Sequence, residues 1–74
     1  MKKILLFIPC FNCEKQILRV LQSLNEKVFN LVNEIVIVDN RSEDNTLAVV
    51  EEFIKKHRKK NLFKLFLNNE NYSF

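Results

Sequence analysis

The sequence predicts an α/β fold in the order β-α-β-α-β, built on a parallel three-stranded sheet. Three observations carry that reading. Short apolar runs, rich in branched and aromatic residues, occur as "ILLFI" at 4–8, "EIVIVD" at 34–39 and "LFKLFL" at 62–67. Between them lie two stretches whose apolar residues recur at helical spacing. The connections are short, and strands that alternate with helices in this way form a parallel sheet through right-handed crossovers.

The first run is continuous and has the length of a buried strand. From 16 to about 28, Ile17, Val20, Leu21, Leu24 and Val28 form one stripe, which predicts a single amphipathic helix. Asn30 and Asn33 then punctuate the chain before the second strand. The loop "NRSED" is rich in side chains that bond their own backbone. Asp44 or Asn45 caps a second helix over 46–58, with Leu47, Val50, Phe53, Ile54 and His57 on its apolar face. Asn61 is expected to close that helix in the left-handed conformation usually supplied by glycine. The tail "NNENYSF" reads as a polar exit from the third strand.

At 74 residues the chain is one small domain, near the size where a single core gives only about 3–5 kcal/mol. No repeat, low-complexity tract or interdomain linker divides it. Two successive right-handed crossovers place both helices on one face of the sheet. Yet the first two strands are apolar at every position, as strands covered on both faces are. A layer is therefore expected beyond these residues. Residues 1–74 read as a partial domain, the front of a longer protein; the competing expectation is a partner, such as a second copy, over the open face.

Composition narrows the function classes. With 47% hydrophobic and 28% charged residues the chain is an ordinary foldable one. The net charge of +3 gives no ground for a general nucleic-acid-binding role. "MKKILLFIP" resembles a secretory signal only superficially, because its apolar run is short of the ~7–15 residues needed and no small-residue cleavage site follows. No segment approaches the ~20 apolar residues of a membrane span. A cytoplasmic, reducing compartment with both cysteines free is the expectation. The sequence contains no glycine, which excludes the Gly-rich dinucleotide fingerprint and the Walker P-loop.

In open parallel sheets ligands bind outside the carboxyl ends of the strands. Two polar segments stand there, "PCFNCE" after the first strand and "DNRSED" after the second. One offers an aromatic face (Phe11), an amide (Asn12) and a carboxylate (Glu14); the other offers Asp39, Asn40 and the Ser42 hydroxyl. An aromatic platform with acceptors suits a planar base carrying N–H donors better than a bare phosphate, since only Arg41 is basic here. The structural alternative is that Asp39 and Ser42 only cap the following helix.

These residues also carry a resemblance. "IPCFNCEKQILRVLQSL" resembles the opening of family 2 glycosyltransferases, a strand followed by Pro-x-(Tyr/Phe)-Asn and a helix. "EIVIVDNRSEDNT" resembles their second signature, Val-Asp-Asp-Gly-Ser-x-Asp-x-Thr, and "LFLNNENYSF" their third strand and its Asn-rich turn. The resemblance implies the first part of a GT-A fold, with a Rossmann-like nucleotide-binding unit. It implies transfer of a sugar from a nucleoside diphosphate donor, most often a UDP-sugar, to an acceptor, as in cell-surface polysaccharide synthesis. A divalent cation, Mg²⁺ or Mn²⁺, is implied as cofactor. By position, Pro9 and Phe11 would line the base pocket, Glu14 would lie on the ribose side, and Asp39 would accept hydrogen bonds from the base. Asn40 stands at the second acid's position and Asp44 at the third, while Ser42 and Thr46 match the helix-opening hydroxyls.

Two departures are local. Asn40 replaces an acid, and Arg41 stands where glycine is usual, at a cost of roughly 1–2 kcal/mol if the turn needs a positive φ. A third concerns extent. The family's Asp-x-Asp metal motif and its catalytic base follow a fourth strand, so neither is expected within these residues, and the isolated segment is expected not to catalyse transfer.

Two other stretches compete for attention. Cys10 and Cys13, between a first strand and a helix, also fit a thiol–disulfide redox module, but the later cis-proline of such folds is absent because Pro9 is the only proline. One Cys pair and one distant His are too few for a zinc site. "KKHRKK" at 55–60 fits either RNA or an anionic bilayer, or simply the solvated last turn of the second helix. In a parent acting on lipid-linked acceptors it would sit at the inner membrane face.

Overall fold

A computed structural model describes residues 3–68. The elements are β1 (Leu5–Cys10), α1 (Glu14–Gln22), α2 (Glu26–Leu31), β2 (Glu34–Asp39), α3 (Thr46–Lys56), a 3₁₀ turn (Lys60–Leu62) and β3 (Phe63–Leu67). The strands form one parallel sheet in the order β1-β2-β3. This is the expected α/β arrangement, and it is the order in which a GT-A fold opens. The register sets Cys10 beside Asp39 and Asp39 beside Leu67. All three strands therefore end on one line, and the segments leaving β1 and β2 emerge side by side.

The pleat sorts each strand into two faces. Leu6, Ile8 and Cys10 align with Ile35, Ile37 and Asp39, and these with Phe63 and Leu65. Ile17 and Leu21 of α1, Phe29 of α2 and Val50 of α3 join the same buried cluster. Both crossovers thus cover one face, as the handedness rule requires. Each fully buried aliphatic side chain there stabilises the fold by roughly 1.5–3 kcal/mol. The other face carries Leu5, Phe7, Val36, Val38 and Phe66, of which Leu5, Phe7 and Phe66 are 55%, 54% and 56% exposed.

The single helix expected over 16–28 is two helices. Ser23 closes α1, its Oγ donating to the Val20 carbonyl at 2.6 Å. The Asn25 side chain then accepts from the Val28 amide at 3.3 Å and opens α2. Short polar side chains that bond nearby backbone break a helix at no loss of satisfied groups. The break changes the stripe: Val20 is largely exposed, and Phe29 becomes the buried anchor. Asn30 lies inside α2, whereas Asn33 does punctuate. Its Oδ1 accepts from the Ile4 amide at 2.8 Å, and its own amide donates to the Ile4 carbonyl at 2.7 Å.

The end of α3 also differs from expectation. The helix stops at Lys56, and His57 turns the chain out with ψ 137°. Asn61 is not left-handed; it lies in the 3₁₀ turn, and the positive-φ residues among those described are Asn12 and Arg41. The reason is the His57 ring, which lies 5.1–5.3 Å from the ring centroids of Phe29, Phe53 and Phe63. Its Nδ1 accepts the Lys59 amide at 2.9 Å. The basic stretch does more than extend a solvated helix end: Arg58 and Lys59 pair with Glu26 of α2, and Lys56 pairs with Glu52 one turn back. Of the polar exit, Asn68 is described and the rest lies outside the described residues. No helix among the described residues is long and apolar enough to cross a membrane.

Candidate functional site

The two segments at the carboxyl ends of β1 and β2 are interlocked. The Asn12 amide donates to Ser42 Oγ at 3.0 Å, and Asn12 Oδ1 accepts from the Glu43 amide at 2.7 Å. Asn12 has φ 46° and Arg41 φ 56°, so each loop turns through one left-handed residue. Asparagine tolerates that region through its short polar side chain; arginine has no such compensation and incurs a cost of about 1–2 kcal/mol. The glycine-like turn expected at Arg41 is therefore kept without glycine.

Beyond Asn12 the loops cap each other's helices. The first amides of a helix have no partner within it. Those of α1 find partners across the gap, Cys13 N–H donating to Thr46 Oγ1 at 2.9 Å and Glu14 N–H to Asp44 Oδ2 at 3.3 Å. Asp44 Oδ1 accepts from the Thr46 amide at 2.9 Å and from its hydroxyl, and Glu14 Oε1 accepts from the Asn45 amide at 3.3 Å. One carboxylate, Asp44, thus serves both helices. Its hydrogen bond from the Thr46 hydroxyl, more than any other contact, holds its pKa below the usual carboxylate value.

Each residue expected at the site has a definite place. Pro9 is exposed near the end of β1, on the uncovered face. The Phe11 ring is 49% exposed at the loop tip. Glu14 opens α1 and is spent partly on Asn45. Asp39 is 1% exposed. Its oxygens accept from the Ser42 amide at 3.2 Å and from the Ser42 hydroxyl. Asp39 and Ser42 thus close the turn before α3 and do not cap that helix, a role that Asp44 takes. Asn40 is buried, its Oδ1 accepting from Asn68 Nδ2 at 2.8 Å and its amide donating to the Cys10 carbonyl at 2.8 Å. The neutral amide in place of an acid therefore ties the exit of β3 to the exit of β2.

The topology brings Asn12 and Glu14 against Ser42, Glu43 and Asp44, while the Phe11 ring stands exposed beside them. A cleft of about 340 Å³ is lined by Asp39, Arg41, Ser42, Glu43, Leu47 and Leu67, without Pro9, Phe11 or Glu14. A larger one of about 400 Å³ lies between α1 and α3, bounded by Leu18, Val49, Phe53 and His57. It is away from the strand ends, so the smaller cleft is the one in register with the loops. The interlocking roles of Asn12 and Asp44 were not legible in the sequence, because their partners lie about 30 residues away.

The residues present do not form a cation centre. No group of three or more His, Cys, Asp or Glu side chains able to hold a metal ion occurs among the described residues. Asp39 and Asp44 are the nearest candidates, and no third ligating side chain joins them. The thiol pair is equally unsuited to redox catalysis. Cys10 is buried, and its pKa is pushed up to about 12, first by burial and then by the neighbouring Cys13 thiol and Asp39. A catalytic cysteine needs the opposite shift.

A parallel sheet with an exposed aromatic and a cluster of amides and carboxylates at its strand ends is an α/β architecture, and open sheets of this class take ligands at that edge. Comparison with known proteins gives the family: residues 5–73 match glycosyl transferase family 2, and the chain belongs to it. An uncharacterised protein of Methanocaldococcus jannaschii is 51% identical over 49 residues, covering 66% of this chain and 20% of the relative. The dolichyl N-acetyl-alpha-D-glucosaminyl phosphate 3-beta-D-2,3-diacetamido-2,3-dideoxy-beta-D-glucuronosyltransferase of Methanococcus voltae is 38% identical over 71 residues, 95% of this chain and 22% of the relative. The chondroitin synthase of Escherichia coli is 38% identical over 53 residues, 70% of this chain and 7% of that protein. The chain spans about a fifth or less of these relatives. No solved structure matches it.

Proposed function

We propose that this chain is the segment with which a glycosyltransferase grips the nucleoside of a nucleoside diphosphate sugar, UDP-sugars first, for transfer of the sugar to an acceptor. The observation that carries the reading is the interlocked pair of loops at the strand ends, which presents the Phe11 ring on a fixed support. Phe11 stacks on the base, worth roughly 1–3 kcal/mol, and Pro9 forms the neighbouring apolar wall. Asp39 retains unused lone pairs, since a carboxylate has about four acceptor sites, and offers them to a base N–H. Glu14 lies toward the ribose, and Asn40 holds the floor through Asn68.

Charge orients the donor. Glu14, Asp39, Glu43 and Asp44 face Arg41 as the one cation in these two loops. The diphosphate is repelled from that cluster, so the base enters first and the phosphates point away from it. In the whole protein a divalent cation, Mg²⁺ or Mn²⁺, would offset their charge, with its ligands outside the described residues. Transfer itself also falls to those other residues, so the 74-residue segment alone is inactive. On this reading the whole protein works in the cytoplasm, at the inner face of the membrane when its acceptor is lipid-linked, as the dolichyl name of one relative indicates for that relative.

Isothermal titration of the folded chain with UDP, GDP and CDP tests the proposal. It predicts heat of binding for at least one of them, lost in Phe11→Ala and absent with inorganic pyrophosphate. Binding of pyrophosphate alone, or of no nucleotide, contradicts it.

A further inference from the structure

Arg41 lines the smaller cleft at the strand ends but takes no part in the hydrogen bonds that join the two loops. The polar lining of that cleft is Asp39, Arg41, Ser42 and Glu43, with Leu47 and Leu67 as apolar walls. Asp39 and Glu43 are acceptors. The Ser42 hydroxyl is already engaged, donating to Asp39 and accepting the Asn12 amide. Arg41 is therefore the remaining side-chain donor of the lining, a planar fork of N–H groups. The ion pairs among the described residues join Lys56, Arg58 and Lys59 to Glu52 and Glu26, and none uses Arg41.

The backbone holds this side chain at a cost. At φ 56° Arg41 is left-handed, a conformation that glycine adopts freely and arginine does not. No ion pair among the described residues offsets that cost, and strained residues of this kind cluster where a site needs the side chain. Its place relative to Asp39 is fixed as well. The Ser42 amide and hydroxyl bond the two Asp39 oxygens and close the turn that contains Arg41. Ser42 also ties that turn to Asn12, the neighbour of Phe11, so the cleft adjoins the ring without including it. A base lying on Phe11 thus presents its edge, not its face, to Asp39 and Arg41.

A fixed acceptor beside a charged donor complements a ring edge with an N–H next to a carbonyl. With the ring on Phe11 and the ribose toward Glu14, the pair meets positions 3 and 4 of a pyrimidine. Uracil offers an N–H and a carbonyl there. Cytosine offers the reverse, a bare nitrogen toward the carboxylate and an amino group toward the guanidinium. We infer that Arg41 is a specificity-determining residue, its guanidinium donating to the carbonyl at position 4 of a base whose N3–H is taken by Asp39, so that uracil is admitted and cytosine is turned away. This rests on the nucleotide reading proposed above and adds to it the choice of base.

Titration calorimetry of the folded chain with UDP and with CDP, repeated on Arg41→Gly and Arg41→Met, tests the inference. Glycine relieves the left-handed turn, so that variant keeps its fold, which circular dichroism verifies. The unaltered chain should bind UDP at least roughly tenfold more tightly than CDP. Both variants should lose about ten- to a hundredfold in UDP affinity, the scale of a hydrogen bond to a charged group, with CDP affinity unmoved. Equal losses for UDP and CDP would assign Arg41 to the diphosphate, and an unchanged UDP affinity would leave it a role in the turn alone. Either result overturns the inference while the nucleotide reading stands, as does equal binding of UDP and CDP by the unaltered chain. An unaltered chain that binds no nucleotide removes the nucleotide reading and this inference with it.

Discussion

The two ends of the sheet are held together by different physics. At the carboxyl end, directional hydrogen bonds between side chains and orphan amides join loops about 30 residues apart, and two residues are held left-handed. At the amino end of β3, the rings of Phe29, Phe53, His57 and Phe63 pack edge to face, with Glu26 pairing Arg58 and Lys59 at the rim. Hydrogen bonds contribute about 1 kcal/mol each but fix position. Buried aromatic contacts contribute more and tolerate small shifts. The comparison teaches that one end stabilises the fold and the other positions the groups of the site.

The largest expected effect comes from the ring cluster. Phe63→Ala should cost about 3–5 kcal/mol, as much as a single core of this size supplies. It should so leave most of the chain unfolded before any urea is added, while the nucleotide affinity of the fraction that remains folded stays unchanged. If affinity falls as steeply as stability, the two ends are not separable. At the other end Asp44→Ala removes a cap from each of two helices and should lower the unfolding midpoint by less than Phe63→Ala does. It should also loosen the Phe11 loop, seen as faster amide exchange at Cys13 and Glu14.

The same carboxylate makes a pH prediction. The pKa of Asp44 is lowered in the folded state by the Thr46 hydroxyl. The folded state therefore binds the proton less tightly than the unfolded one. This stabilisation is fully present above the unfolded value of about 3.9 and is lost as pH falls through the lowered folded value. In Thr46→Val, acid unfolding monitored by circular dichroism should lose part of this dependence. An unchanged acid limb would remove Asp44 from the account.

Much of the fold was legible from pattern. "EIVIVD" became β2 residue for residue, because a buried parallel strand needs little beyond apolar side chains. The parting of α1 from α2 was not, since Leu24 and Val28 keep helical spacing across a break made by Ser23 and Asn25. His57 was placed on the right face but inside the wrong element, as no local signal announces a ring that fills a gap between three others. Arg41's left-handed turn was legible only through the glycine that the family resemblance places there. The caps between Glu14, Asp44 and Thr46 had no local signal, because each side chain reads as an ordinary helix opener until the topology sets the loops together.

Smaller effects sharpen the contrast. Arg41→Gly should relieve the left-handed cost of about 1–2 kcal/mol but add back about 0.5–1 kcal/mol of unfolded-state entropy. A net gain near 1 kcal/mol is expected in thermal unfolding. Glu26→Gln, which weakens the pairs with exposed Arg58 and half-buried Lys59 at the amino end, should cost under about 1 kcal/mol and less still at high salt.

The central claim is that the nucleotide is held at the carboxyl end of the sheet. Nitrogen–proton correlation spectra of the labelled chain, recorded through a UDP titration, test it most directly. Amides of 11–14 and 40–46 should shift together on one binding curve, with those of 57–62 unmoved and the response lost in Phe11→Ala. Shifts confined to the cleft between α1 and α3, or spread evenly over both ends, would contradict it.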